Sequence, residues 1–191
     1  MPKRALKPVP KKADAQTSLD CLAAALKKLP KEKLVEMILE IAARDRELQR
    51  KLEADLRVHI PDDQLLRLTR QAIADATYYD KRDCNTNFDY DYAAYELVGK
   101  NFKRLVLLKE WKDVMQLSIE LMQDGSDQAE SSDEALMTTD IGDCLEPVIE
   151  ALIDADLPNK VVVAWCDKML LADKIGCICD QQLKSLRTNR T

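Results

Sequence analysis

Apolar residues in this chain recur at intervals of three and four, the spacing that places them on one side of an α-helix, and this periodicity constrains the fold more than any other feature. Leu34, Ile38, Ile41 and Ala42 follow it in "KEKLVEMILEIA". Phe88, Tyr92, Tyr95, Gly99, Phe102 and Val106 follow it in steps of four, three, four, three and four. Trp111, Val114, Leu117, Ser118 and Leu121 share a further face, and Val161, Trp165 and Met169 another. Apolar residues make up 46% of the 191, aromatics only 5%, and glycine occurs four times. That mixture favours helices over sheets, and the length is enough for a self-sufficient core. The expected fold is all-α: stacked antiparallel helical hairpins in a short solenoid behind a disordered basic N-terminal arm.

Boundaries follow from caps and breakers. Residues 1–15 carry Pro2, Pro8 and Pro10 and little that could enter a core, so they read as the arm. Thr17 or Ser18 can cap a first helix, Pro30 suits the first turn of a second, Asp45 caps a third and Pro61 precedes a fourth. Residues 16–78 form these N-terminal helices, and 79–191 form the hairpins, the two being continuous. A long helix is expected over about 90–109, then one from Trp111 that Gly125 ends, then an acidic loop in "SDQAESSDE". Beyond it come another long helix, a turn at Asp156–Pro158, a helix carrying Trp165 and a last one over about 174–187. The pair around "LLKEWKDVMQLSIELM" echoes the pair around "ALIDADLPNKVVVAWCDKML" about 45 residues later, a repeat suggestive of stacked hairpins.

Charge is unevenly distributed. The first twelve residues hold Lys3, Arg4, Lys7, Lys11 and Lys12 and no acid, so the rest carries 24 basic against 34 acidic residues. An acidic body is a poor match for a phosphate backbone, and any nucleic-acid contact would fall to those five arm residues. Six cysteines without an apolar signal segment point to a cytoplasmic setting. The apolar run "VVVAWC" is about a third of what a membrane span requires, so no membrane partner is expected.

No catalytic or cofactor constellation can be assembled. Asp83, Asn85, Asn87, Asp89 and Asp91 alternate like calcium-loop ligands, but Phe88 stands where the loop needs glycine and Ala94 where it needs glutamate. They read instead as turn formers and caps. Cys177 and Cys179 on a helix would point about 200° apart and could not share one zinc ion. The sole histidine, His59, sits at a helix end before Pro61, suited to capping or packing. The glycines are too scattered for a phosphate cradle. The expectation is therefore no enzyme, no metal and no cofactor.

All five tyrosines lie between residues 78 and 95. Tyr92 and Tyr95 belong to the 88–106 stripe and are expected in the core. Tyr79 and Tyr90, beside Asp80, Arg82 and Asp89, are the candidate partner-facing patch. A pocket lined by the tyrosines would instead serve a small molecule.

The segments "LPKEKLVEMILEIAARDRELQRKL", "FDYDYAAYELVGKNFKRLVLLKEWKDVMQLSIELM" and "TTDIGDCLEPVIEAL" together resemble the helical region found in bacterial proteins associated with SWIM-type zinc fingers, a region of unknown function. The likeness covers about residues 22–180. Cys177 and Cys179 have the spacing of the finger's Cys-x-Cys pair, but no Cys-x-His pair follows them, so the resemblance implies the helical part alone. Pro147 falls where that family tends to have an uninterrupted helix, and implies a kink or late start. The functional expectation is a non-enzymatic scaffold or adaptor for protein–protein interaction. The alternatives are an accessory protein of a nucleic-acid complex acting through the arm, and a small-molecule binder.

Overall fold

The computed structural model describes residues 20–55, 61–79, 90–132 and 137–191, and among these every regular element is a helix. They are α1 (20–26), α2 (Lys31–Ala42), α3 (Arg46–Asp55), α4 (Asp62–Ala76), α5 (Tyr92–Leu107), α6 (Trp111–Glu130), α7 (Met137–Ile153), α8 (Asn159–Ala172) and α9 (Asp180–Asn189). None of the described helices is long and apolar enough to cross a membrane.

The chain divides into two compact units, Met1–Gln49 and Arg50–Thr191, the division falling inside α3. In the first, Pro30 precedes α2, where its missing N–H costs nothing. Asp45 accepts a hydrogen bond from Leu48 N at 3.0 Å, the cap its position predicts. Helix α2 buries only Ala42 and leaves Val35, Ile38, Leu39 and Ile41 exposed.

In the second unit, every pair of helices in substantial contact is one or two apart in sequence. Helix α4 packs on α5 and α6, α5 on α6 and α7, α6 on α7 and α8, and α9 on α7 and α8. The helices of the sequence echo thus lie against one another, α5 on α7 and α6 on α8. Tyr95, Phe102, Leu117, Leu121, Met122, Ile141, Leu145 and Leu152 fill the core. Polar ties cross it. Trp165 Nε1 donates to Met115 O at 2.9 Å, and Ser126 Oγ to Ala172 O at 2.9 Å, so α8 is pinned to α6 at its middle and at its C-terminus. Arg190 Nη2 reaches Leu152 O at 2.8 Å and Ala155 O at 2.7 Å, placing a cation on carbonyls at the C-terminus of α7.

Three boundaries differ from the sequence expectation. Gly125 does not end α6, which runs on to Glu130 and includes part of the expected acidic loop, with Ser126, Gln128 and Ala129 buried. A Cβ on Gly125 would stand 2.7 Å from Ile141 Cδ1 and 3.1 Å from Ile141 Cγ1, so this glycine lets α7 approach rather than stopping the helix. Pro147 lies inside α7, and the helix neither starts late nor stops there. The lost N–H bond would cost about 3 kcal/mol in an isolated helix. Burial of Cys144, Leu145, Val148 and Ile149 on both sides of the proline offsets it. Helix α9 begins at Asp180 rather than near 174, because the buried Asp173 carboxylate accepts Ile175 N, Gly176 N and Ile178 N at 3.1, 2.9 and 2.8 Å. Those bonds hold 173–178 as a turn, with Gly176 at φ 77° and Cys179 at φ 54° before the helix starts.

Candidate functional site

The tyrosines divide differently from the expected stripe. Tyr95 is buried, but Tyr92 is 56% exposed and is not a core residue. The buried face of α5 carries Ala94, Tyr95, Val98, Asn101, Phe102 and Leu105, turned by roughly 100° from the 92–99–106 edge of the stripe. Tyr92 is the first helical residue, on that outer edge.

Tyr95 Oη donates to Gln128 Oε1 at 2.7 Å, and Gln128 Nε2 donates to Ala76 O at 2.9 Å. A fully buried glutamine thereby joins α4, α5 and α6. Tyr79 and Tyr90 are both half-buried rather than fully outward-facing. Tyr79 Oη accepts from Ser131 Oγ at 3.1 Å. Tyr90 Oη donates to Asp140 Oδ2 at 2.6 Å, and its ring meets Tyr95 edge-on at 6.0 Å between centroids. The Asp140 bond, reinforced by burial, pushes the Tyr90 phenol up to about 12. Asp80, Arg82 and Asp89, and the arm residues Lys3, Arg4, Lys7, Lys11 and Lys12, lie outside the described residues, as does His59.

Of the alternating acids, Asp91 is described. It caps α5 by accepting Ala94 N at 2.9 Å and pairs with Arg50, whose guanidinium also reaches Asp75 at 3.1 Å. Tyr92 and Tyr95 do line a cleft between α5 and α7, with Lys100, Lys103, Asp140 and Asp143, but its volume is only about 230 Å³. That is below the ~300 Å³ at which ligand clefts begin.

A larger feature lies between α6 and α8, where an open groove of about 600 Å³ is lined largely by apolar atoms. Helix α6 contributes Trp111, Met115 and Ile119, at steps of four. Helix α8 and the turn before it contribute Leu157, Val161, Ala164 and Trp165. Both tryptophans of the chain are therefore in one groove. Trp165 forms its buried floor, its N–H already satisfied by Met115 O, and Trp111 is half-buried. Val161 is 40% exposed.

Three lysines, Lys112, Lys160 and Lys168, stand exposed at the rim beside one acid, Asp113. None of the three makes an ion pair among the described residues. The groove is thus an apolar floor with a cationic edge on an acidic protein, suited to an amphipathic guest bearing carboxylates.

The sequence stripe 111–114–117–118–121 captured the core face of α6 and missed this second face. Its signal was present: Trp111, Met115 and Ile119, with Leu157, Val161, Ala164 and Trp165, widen the apolar arc of both echoed helices beyond what one core contact needs.

Three thiols are kept in the protonated form by burial. Burial pushes Cys144 up to about 12 and Cys166 and Cys179 up to about 11. Among the described residues no three His, Cys, Asp or Glu side chains converge on a common metal position. No protein-family model matches the chain, and neither a curated protein nor a solved structure is found similar to it.

Proposed function

We propose that this chain is a non-enzymatic helical adaptor, a short stack of tetratricopeptide-like hairpins that docks a helical segment of a protein in the α6–α8 groove. The observation that carries this reading is the groove itself: both tryptophans and five aliphatic or sulfur-bearing side chains around an open cleft, with Lys112, Lys160 and Lys168 at its edge. Amphipathic helices bind such grooves by placing residues at i, i+3, i+4 and i+7 on the floor, and tryptophans are favoured anchors there. The neighbour and next-neighbour packing of α4 to α9 supports the stacked-hairpin architecture. Five described cysteines, all free thiols, agree with a cytoplasmic setting.

The test compares capture of proteins from the native host by the parent chain, by Val161→Glu in the groove and by Leu171→Glu outside it, Leu171 being 86% exposed. The reading expects a specific partner retained by the parent and by Leu171→Glu and lost by Val161→Glu. Identical protein sets from all three would refute it.

A further inference from the structure

We propose that the occupant of the α6–α8 groove is helix α2 of a second copy of this chain, an assignment that rests on the groove being a docking site. The same chain carries both halves of the match. Helix α2 is an amphipathic helix whose apolar side the described residues leave partly uncovered, with Val35, Ile38, Leu39 and Ile41 being 46%, 46%, 64% and 52% exposed. Val35, Ile38 and Leu39 stand at i, i+3 and i+4, the pattern that seats a helix in an apolar cleft. Beside them runs a stripe of carboxylates, Glu32, Glu36 and Glu40, at steps of four. The groove supplies the complement, an apolar floor edged by Lys112, Lys160 and Lys168.

The charges also match in spacing. Lys160 and Lys168 are eight residues apart on α8, and Glu32 and Glu40 are eight apart on α2, which on either helix is about 12 Å. Lys160, Lys168, Glu32 and Glu40 form no ion pair among the described residues, and Glu36 is held only by the neighbouring Lys33 at 2.6 Å. Docking would therefore cover apolar surface on both partners and pair charges that now face water. The contact joins two different surfaces, so it either closes by reciprocal exchange between two copies or propagates. In both cases mass rises with concentration.

The experiment is sedimentation of the full chain over a concentration series, with tryptophan emission recorded in parallel because both reporters line the groove. Two double variants are made at exposed positions, Glu32→Lys with Glu40→Lys on the helix, and Lys160→Glu with Lys168→Glu on the groove. Melting curves check that each folds. The parent should self-associate with a concentration-dependent emission shift. Each double variant alone should associate on the order of tenfold more weakly, since like charges then face each other. An equimolar mixture of the two should recover association, because the helix of one and the groove of the other are again complementary.

A parent that associates no more strongly than its variants, or a mixture that fails to recover association, overturns the assignment. A parent that stays monomeric while Val161→Glu still abolishes capture of some other protein overturns self-docking alone and leaves the adaptor reading standing. A monomeric parent whose capture is also indifferent to Val161→Glu removes both.

Discussion

Gly125→Ala tests whether α6 continues through residue 125 because α7 crosses it there. In a solvated helix interior the substitution would stabilise by about 1 kcal/mol. Here the new methyl would lie 2.7 Å from Ile141 Cδ1, 3.1 Å from Ile141 Cγ1 and 3.7 Å from Tyr95 Oη. The first distance demands movement and the third is ordinary contact, so the strain is concentrated on one isoleucine. Overpacking of this kind costs about 1–3 kcal/mol, leaving a net loss between roughly 0 and 2 kcal/mol after the helix gain.

Ile141→Val removes Cδ1 and by itself costs about 0.5–1.5 kcal/mol. With Gly125→Ala in the same molecule, the valine vacates the space that the alanine needs. Urea denaturation of the parent, both single variants and the double variant completes the cycle, and the double should be about 1 kcal/mol more stable than the sum of the singles predicts. Additive behaviour would mean that Ile141 does not set the cost at 125. A loss well above ~3 kcal/mol, unrelieved by Ile141→Val, would indicate a glycine required by backbone conformation and would refute the continuous α6.

Four other outcomes follow from the same packing. Tyr95→Ala should cost about 3–5 kcal/mol by opening a cavity and stranding Gln128, whereas Tyr92→Ala, at a 56% exposed position, should change stability by about 0.5 kcal/mol or less; thermal melts of both decide. Arg50→Ala should cost about 2–3 kcal/mol in urea denaturation, less than the ~3–5 of a fully buried pair, since Asp75 and Asp91 keep 20% and 27% side-chain exposure. The Tyr90 phenol titrates higher folded than unfolded, so the stability it lends is whole below about pH 10 and is lost as pH rises toward about 12. Tyr90→Phe should flatten that alkaline decline, followed by melting temperature against pH. Alkylation read by mass spectrometry should mark the exposed Cys21 and Cys177 at once, and Cys144 and Cys166 only on unfolding.

Much of the architecture was legible because it is written in local chemistry. Leu34 and Ile38, Asp45 as a cap, Pro61 before α4 and Pro158 before α8 act within a turn or two of themselves, so periodicity and capping locate them. What escaped depends on neighbours far along the chain. Gly125 looks like a stop until Ile141 is seen against it, and Pro147 allows a late start until burial on both sides is seen to carry the helix through. Tyr92 shares a stripe with Tyr95, yet the rotation of α5 against α4 and α7 leaves one exposed and the other buried. The groove was hidden for a related reason: Trp111 shares one stripe with Val114 and Leu117, Val161 and Trp165 share another, and only the packing of α6 on α8 brings them, with Ile119 and Leu157, around one cleft.

The central claim, that this cleft receives a helix, is tested most directly by a photo-reactive phenylalanine analogue at Val161, irradiated in the native host and read by sequencing the cross-linked peptide. Val161 is 40% exposed and lines the groove, and Leu171, 86% exposed and outside it, serves as the control position. The account predicts an adduct formed from 161 and not from 171, on a peptide with apolar residues at i, i+3 and i+4 flanked by carboxylates, the pattern carried by residues 31–42 of the chain itself. An adduct only to a small molecule, no adduct at all, or the same peptides from both positions would contradict it.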